Sequence, residues 1–583
     1  MIAKILRMLL GPTLILAVAC GGAPAAPETT AAPAVEPTAA PVESATSQPT
    51  ATLQVAAPPT DVEVNPGKLT IMEGDLGNER FDWLWGTGAG SRTYSRIVHG
   101  YLISIDSRRT ELVPGIASDW SLSADGLTWT FTIRRGVKWH DGSELTAQDV
   151  LWTFQHDFGP QAPEYASQTT ALKLAGLTDE IKLTEPDKVS LTTKVPVTEM
   201  ADNLSEGCNN CIMSVLPKRA KVHDLEEEAA YDSNPIGAGI MRLVSHVPAY
   251  VMSFERFDDF YYQPANGFPE DKRVNFQSLD LFLVPEESSR AAAIRAGEAD
   301  IATASLGVKQ QVEAGGGRLV FVQEGNVIEV MWVNCQQPQY RCQDKRVRQA
   351  LDYAIDKELI RDRLYSPEIF NVKGWGPVTP STIGYTPELD PRPFDPDKAR
   401  QLLAEAGYKT PTYPSGKEFG KLILVTPPSS PLPYTVEGAQ LVADFWKREL
   451  GLDVELNVID STGITKKRDA GDLNDQVYWY PNEARIDTTS FINRRYGSTP
   501  AEYFPVLHVD QEVRALVVEA VGILDPDERA AAYKKLFPRL REEAYELTVG
   551  YANTPWAVGP RILTWEPYPL VAHPSALHTI TLK

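Results

Sequence analysis

The feature that most limits how this chain can fold is a low-complexity segment from residue 21 to residue 66. It consists almost entirely of Ala, Pro, Thr, Ser, Glu and Val, and it contains no aromatic residue, no Lys and no Arg. Such a segment buries too little apolar surface to offset the entropy lost on ordering. Its prolines favour an extended, semi-rigid spacer. We therefore expect a disordered tether over residues 21–66 and a folded body that begins near Gly67.

The first 20 residues are typical of an export signal. Lys4 and Arg7 precede an apolar run over residues 8–19, and this run is too short to span a bilayer, which takes about 20 apolar residues. Small residues lie directly before Cys20, and this arrangement resembles a bacterial lipobox, in which the Cys is acylated. We expect a lipoprotein signal peptide over residues 1–20 and a lipid anchor at Cys20. The alternative is an ordinary export signal with an incidental Cys20.

Size and charge narrow the possible classes of the body. The chain has 583 residues, and the part after the tether is too long for a single hydrophobic core, so two or three subdomains are expected. Its formal net charge is −21, which argues against nucleic acid or an anionic membrane surface as a partner.

Four cysteines besides Cys20 form two local pairs, Cys208 with Cys211 and Cys335 with Cys342. Outside the cytoplasm, an even number at such spacings favours two short disulfide bonds. The spacing of the first pair also permits a redox motif or half of a zinc site. A redox pair is expected at a helix N-terminus after a strand, whereas this pair lies in a polar stretch.

Two local patterns predict a β-hairpin followed by a helix. Residues 127–133 alternate apolar and polar side chains, which predicts a half-buried strand, and Asp125-Gly126 before them is a hairpin turn signal. Thr146 and Asp149 then have the spacing of a capping box at the start of a helix. Asp395-Pro396 and Asp525-Pro526 predict two further helix starts, and Gly407 predicts a helix end.

Farther along, the apolar spacing predicts helices and a parallel unit of sheet. Residues 344–364 place apolar side chains on one helical face. Residues 422–425 and 454–459 read as strands on either side of a helix over residues 436–450, which predicts a βαβ unit with parallel strands. The fold class is therefore mixed α/β with more than one sheet.

Several distinctive motifs follow one another along the body. They are Leu112-Val113-Pro114-Gly115-Ile116-Ala117, Trp139-His140-Asp141-Gly142, Thr146-Ala147-Gln148-Asp149-Val150, Asn234-Pro235-Ile236-Gly237-Ala238-Gly239, Glu255-Arg256, Gly297-Glu298-Ala299-Asp300-Ile301, the helix at residues 344–360 and the helix at residues 395–407. Together they resemble the signature of the family 5 extracellular solute-binding proteins, the dipeptide-, oligopeptide- and nickel-binding lipoproteins of ABC importers. The resemblance covers essentially the whole chain from Leu69 onward.

The resemblance implies a two-lobe periplasmic-binding-protein-like fold with a hinged cleft between the lobes. The first lobe would comprise residues 67–330, including an inserted subdomain at about 99–247, and residues 547–583 would return to it. The second lobe would comprise residues 331–546, with crossings near residues 330–334 and 547–551. A ligand that touches both lobes would stabilise the closed form, which the permease subunits would then recognise.

The resemblance also implies where a peptide would be held. In the peptide binders, an acidic residue that follows a Trp near the end of a strand pairs with the amino terminus of the peptide, and such charge-assisted bonds are strong. The matching stretch is residues 477–487, where Asp487 or Glu483 could be the amine anchor. Arg485 could instead neutralise either acid, or face a carboxylate or phosphate of the ligand. A surface ion pair on a loop remains the alternative for each of them.

Aromatic side chains are the second group of candidates, since flat rings could cover the side chains of a ligand. They are Trp479, Tyr480, Trp332 and Trp375 on the second lobe and Tyr94 on the first. The alternative for each of the tryptophans and for Tyr480 is a place in the hydrophobic core. The glycine-rich residues 86–90 lie where a ligand loop of the first lobe is expected, and glycines would allow close approach of backbone amides.

Three classes of function stay open. The first is a peptide-binding protein of an ABC importer, expected to be a monomer without cofactor or metal. The second is a binder of an opine, an oligosaccharide or a nickel chelate on the same scaffold, or a sensing receptor. The third is an enzyme, for which the sequence offers no His-Glu-x-x-His helix, no Gly-x-Ser-x-Gly elbow and no phosphate loop. Solute binding is the expected function.

Overall fold

The structure is a computed structural model, and it describes residues 67–84, 91–106, 111–159, 176–198, 200–207, 214–220, 225–335, 339–428, 434–479, 482–497, 510–571 and 573–583. Within these residues, every helix is too short or too polar to cross a membrane. The signal at residues 1–20, the tether and Cys20 lie outside the described residues.

Strands make up much of the described chain. They are β1 (Lys68–Glu73), β2 (Ile103–Ile105), β3 (Leu112–Pro114), β4 (Ala117–Leu122), β5 (Thr128–Ile133), β6 (Thr178–Glu185), β7 (Lys188–Thr193), β8 (Met241–Val247), β9 (Val251–Arg256), β10 (Ser278–Leu283), β11 (Ile301–Thr303), β12 (Arg318–Asn334), β13 (Phe370–Asn371), β14 (Lys421–Thr426), β15 (Asp453–Val458), β16 (Gln476–Trp479), β17 (Asn482–Glu483), β18 (Glu546–Val558), β19 (Ile562–Thr564) and β20 (Thr581–Leu582).

Helices alternate with these strands along the chain. They are α1 (Ser91–Val98), α2 (Ala147–Phe158), α3 (Met200–Asn203), α4 (Leu225–Ser233), α5 (Glu287–Ala296), α6 (Lys309–Glu313), α7 (Lys345–Tyr353), α8 (Lys357–Leu364), α9 (Pro396–Glu405), α10 (Thr435–Leu450), α11 (Ser461–Asp469), α12 (Thr489–Ile492), α13 (Gln511–Val521) and α14 (Pro526–Glu543).

One large mixed sheet organises the body, in the strand order β15-β14-β16-β12-β18-β11-β1-β10-β9-β8. Buried side chains on the half that contains β1 and β8–β11 form what we call the first core, which includes Leu69, Leu281 and Trp556. Those on the half with β14–β16 form the second core, which includes Val330 and Leu547. The expected mixed α/β fold with several sheets is thus confirmed.

A separate antiparallel sheet, in the order β4-β5-β7-β6, carries the predicted hairpin. β4 pairs with β5 as the alternating pattern indicated, and Gly126 in the connecting turn has a φ of 73°, a conformation that favours glycine. The side chains of this sheet and of α2 form a further group of buried residues, which we call the subdomain core.

Most predicted helix boundaries are confirmed. The Asp149 carboxylate accepts a hydrogen bond from the Thr146 N–H at 2.9 Å, and Asp395 and Asp525 cap α9 and α14 by accepting backbone N–H groups. β14, α10 and β15 form the predicted βαβ unit, with the two strands parallel.

The apolar stretch at residues 344–364 was expected to form one helical face, but it is divided into α7 and α8. The break is stabilised because the Asp356 side chain accepts the Leu359 N–H at 2.9 Å and so starts a second helix. The buried Lys357 ammonium also donates to the backbone carbonyl of Asp352 at 2.9 Å.

Candidate ligand site between the two cores

The two long strands β12 and β18 pass from the first core into the second. Up to Val322, β12 pairs with residues 554–558 of β18, and from Val327 onward it pairs with residues 546–552. The register shifts between Val322 and Val327 and again between Glu329 and Val330. We call the part of β12 from Val322 to Val330, together with the residues of β18 that pair with it, the seam. It lies a few residues before the expected crossing at residues 330–334.

The stretch predicted to hold a peptide, residues 477–487, is called the recognition stretch, and its described residues lie directly beside the seam. Trp479 of β16 is opposite Met331 of β12, while Asn482 and Glu483 form β17 and pair with β12 at Ile328 and Val327. Ala484 then packs in a small buried group with Ile328, Tyr551 and Leu570, and Ile486 lies against it. Since Leu570 follows the last residue of the second core along the chain, this group joins the recognition stretch to a segment beyond that core.

Asp487 is held in a network of four donors. One carboxylate oxygen accepts from the Arg529 guanidinium at 2.6 and 3.1 Å, and the other accepts from the backbone N–H and hydroxyl of Thr489 at 2.9 and 2.7 Å. The neutralising cation is therefore Arg529 rather than the neighbouring Arg485. Arg485 is half-buried, and its carbonyl accepts from the Thr382 hydroxyl at 2.8 Å. An amine-anchoring role for Asp487, Glu483 or a ligand-facing role for Arg485 stays a prediction.

Trp479, a candidate ligand contact, is buried at 1% exposure, and its contact with a ligand stays a prediction. The indole N–H donates to the carboxylate of Glu329, which is also fully buried. The ring lies so close to α10 that a methyl group on Gly438 would come within 2.8 Å of it. Burial, with Glu329 nearby, also raises the pKa of Tyr365. Trp479 is thus a buried residue of the second core that is hydrogen-bonded to the seam.

Trp332 and Trp375 are likewise enclosed in the second core. The guanidinium of Arg495 lies 3.3 Å from the ring centre of Trp332, and it pairs with the buried carboxylate of Glu546 at 3.0 Å. Burial lowers the pKa of Arg495 to about 10. Trp375 stacks on Tyr496, which itself donates to Glu546. These rings surround a buried ion pair, and contact with a ligand stays a prediction for both.

Tyr94 is buried in the first core, where its ring packs against Phe81 at 4.9 Å between centres. Tyr480 and the glycine-rich residues 86–90 lie outside the described residues.

An open cavity of about 720 Å³ lies between the start of α6 and a loop of the second core. Leu306 before α6 packs against the second core, whereas Val312 within α6 belongs to the first. The first side is formed by residues 306–310 at the start of α6, and the second by residues 366–368, directly after α8. Lys309 Nζ lies 2.9 and 3.2 Å from the carboxylate oxygens of Glu368, so an ion pair connects the two sides. Both side chains are substantially exposed, and such pairs hold surfaces together only weakly.

Cys335 and Cys342 form a disulfide bond with their Cα atoms 5.9 Å apart, and both residues are buried. Cys208 and Cys211 lie outside the described residues. In the part of the chain that the structure describes, no group of three or more His, Cys, Asp or Glu side chains is placed to hold a metal ion.

Several residues at the site had no signal in the sequence. Arg529 lies 42 positions from Asp487, Glu329 lies 150 positions from Trp479, and Leu570 lies 86 positions from Ala484. Only the paired strands and the packing of α14 bring them together, so local patterns could not have identified them.

Comparison with known proteins places these features in a wider group. The family model described as bacterial extracellular solute-binding proteins, family 5 Middle, matches residues 111–503. Heme-binding protein A of Haemophilus influenzae is 26% identical over 495 residues, covering 82% of this chain and 85% of that protein. The dipeptide-binding protein of Escherichia coli is 25% identical over 327 residues, covering 53% of this chain and 58% of that protein.

The fold has a counterpart among solved structures. The structure of HbpA2 from Haemophilus parasuis matches with a TM-score of 0.74 at 20% identity, covering 88% of this chain and 100% of that one. At this identity the likeness concerns the fold.

Proposed function

This chain belongs to the bacterial extracellular solute-binding proteins of family 5, and from that premise we propose that it captures a short peptide at the seam. The family is extracytoplasmic and works with the permeases of ABC importers. The observation that carries the proposal is the position of residues 482–487. Asn482 and Glu483 pair with β12 at the passage between the cores, and Ala484 packs against Leu570. A ligand bound there would touch both sides and would favour their approach.

The domain organisation proposed for this function is that of two lobes with a hinge. The first lobe would comprise residues 67–330 and 547–583, with the subdomain at about 99–247, and the second would comprise residues 331–546. The division is supported by the separate groups of buried side chains on the two halves of the large sheet. Bending at the register shifts of β12 would change the width of the cleft.

We further propose that the mature protein is a monomer anchored to the membrane by lipid at Cys20. The lipobox-like residues before Cys20 support the anchor, and residues 21–66 supply the length and composition of a tether. Replacing Cys20 with Ala should abolish the incorporation of labelled palmitate and release the protein from the membrane fraction. Unchanged labelling of the Cys20→Ala protein would contradict the anchor.

Heme is a second candidate ligand, because the relative that aligns with 82% of this chain is named a heme-binding protein. Peptide is preferred because the dipeptide-binding relative shares the same family, and the recognition stretch contains acids suited to an amino terminus.

Ligand binding can be tested on the chain that lacks only residues 1–20. Native mass spectrometry would identify any retained ligand, and a thermal-shift panel would compare di- and tripeptides, hemin, oligosaccharides and nickel–histidine. A peptide at 100 times its Kd should add about 2.7 kcal/mol to the free energy of unfolding. Stabilisation by hemin or a sugar, with none by any peptide, would reject the peptide assignment. A turnover product in any arm would reject a purely binding function.

A further inference from the structure

The subdomain and the second core touch at a point far along the chain from the seam. A methyl group placed on Gly126, in the turn between β4 and β5, would lie 2.9 Å from Leu524 Cδ2 and 3.3 Å from Cβ of Pro196. Leu524 is in the short loop between α13 and α14, whose helices pack in the second core. The contact therefore exists only when the subdomain and the second core approach each other.

The subdomain side of this contact is a rigid turn. The Gly126 N–H donates to the Ser123 carbonyl at 2.8 Å, and Ser123 N–H donates to Thr128 at 2.9 Å. Asp125 accepts hydrogen bonds from the hydroxyl of Ser123 at 2.5 Å and from the N–H of Leu127 at 3.0 Å. The turn thus offers Leu524 a preformed surface without a side chain at Gly126.

The other side is held by Arg529, which is only 4% exposed. One of its nitrogens donates to the backbone carbonyls of Ile523 at 2.7 Å and Leu524 at 3.1 Å. The remaining donors of the same guanidinium bind Asp487 at 2.6 and 3.1 Å. The planar fork of arginine presents its donors in fixed directions, so it holds both groups at once.

We propose that Leu524 against Gly126 is a closure contact of the cleft, and that Asp487 is a positioning residue that sets it through Arg529. Asp487 ends the recognition stretch, whose preceding residues pair with β12 at the seam and pack against Leu570. A ligand that binds this stretch also holds Asp487 in place, and through it Arg529 and the loop that carries Leu524. This inference rests on the proposed capture of a ligand between the cores, and it gives Asp487 a different role from that of an amine anchor.

The closure contact can be tested without any ligand. Leu524→Ser should increase the radius of gyration of the unliganded protein in small-angle X-ray scattering, because the open form becomes more populated. Val518→Ser is the matched control, since Val518 is a 52%-exposed apolar residue on the neighbouring α13. Leu524→Ala is a second, apolar replacement at the contact. Melting curves of all three variants show whether each of them is folded. Scattering from both Leu524 variants identical to that of the control would overturn the closure contact.

The role of Asp487 is tested with alanyl-alanine and its N-acetylated form as probes. If Asp487 positions the loop, Asp487→Asn should weaken the binding of both peptides by the same factor, about fivefold, and should also increase the radius of gyration. Loss of affinity for only the peptide with a free amino group, with unchanged scattering, would show an amine anchor and overturn the positioning role. If neither peptide binds the unaltered protein, the thermal-shift panel decides the peptide proposal, and scattering of the unliganded Asp487→Asn protein decides the positioning role: unchanged scattering would overturn it.

Discussion

The indole N–H of Trp479 donates a hydrogen bond to the carboxylate of Glu329, and both side chains are buried. Trp479 ends β16 inside the recognition stretch, while Glu329 stands on β12 at the second register shift of the seam. The bond therefore connects the recognition stretch with the strand that passes between the cores.

Replacing Trp479 with Phe should lower the free energy of unfolding by about 2 kcal/mol or more, because a buried carboxylate loses a donor. Urea denaturation measures the loss. Trp446→Phe is the matched control, since its indole N–H donates to the neutral carbonyl of Leu351 at 2.8 Å, and the loss there should be smaller. Equal losses in the two variants would contradict a special contribution of the bond to Glu329.

The buried pair of Arg495 and Glu546 should behave as a unit. Arg495→Met removes the cation from a carboxylate that is fully buried, and the expected loss is about 3–5 kcal/mol of unfolding free energy. The combined Arg495→Met and Glu546→Gln variant should recover part of this loss, because no buried charge is left without its cation. A double-mutant cycle by chemical denaturation measures the coupling, and strictly additive losses would argue against it.

Glu73 should make the protein less stable as the pH rises. Burial raises the pKa of Glu73 to about 8, although Thr93 donates a hydrogen bond to its carboxylate at 2.6 Å. Between the ordinary pKa near 4.5 and this value, the folded state holds a proton that the unfolded state has released, so stability falls with increasing pH. Glu73→Gln removes this dependence, and its stability relative to the unaltered protein should increase between pH 5 and pH 8.

Glu206 provides the opposite case. For both residues, urea denaturation at pH 5 and at pH 8 measures the stability of the variant relative to the unaltered protein. Burial opposes ionisation there, but the Lys272 ammonium at 2.8 Å and hydrogen bonds hold the pKa of Glu206 below its ordinary value. Its contribution is present above the ordinary pKa and is lost only as the pH falls through the lowered one. Glu206→Gln should therefore be destabilised at both pH 5 and pH 8. If Glu206→Gln were more stable than the unaltered protein at pH 8, as expected for Glu73→Gln, the lowered pKa of Glu206 would be contradicted.

The disulfide bond between Cys335 and Cys342 should contribute about 2 kcal/mol, since it closes a short loop in the unfolded chain. Replacing both residues with Ala and comparing guanidinium denaturation curves measures this contribution. A double variant as stable as the unaltered protein would show that the bond adds no net stability.

Local patterns predicted the elements that depend on neighbouring residues. The hairpin at Gly126, the capping box at Thr146 and the parallel unit of β14 and β15 all follow from spacing within a few residues, and all are present. The stretch at residues 344–364 differs because apolar periodicity continues through the break, while the cap at Asp356 and the buried Lys357 start a new helix.

The sequence by itself determined the alternation of strands and helices and the position of the recognition stretch along the chain. It also predicted the signal and the tether, which lie outside the described residues. Only the tertiary structure decided which charges and rings meet at the recognition stretch. It placed Asp487 on Arg529, Trp479 on Glu329, and Leu524 against Gly126. The physical reason is that partners dozens to hundreds of residues apart are selected by sheet pairing and burial, which leave no periodic trace in either local segment.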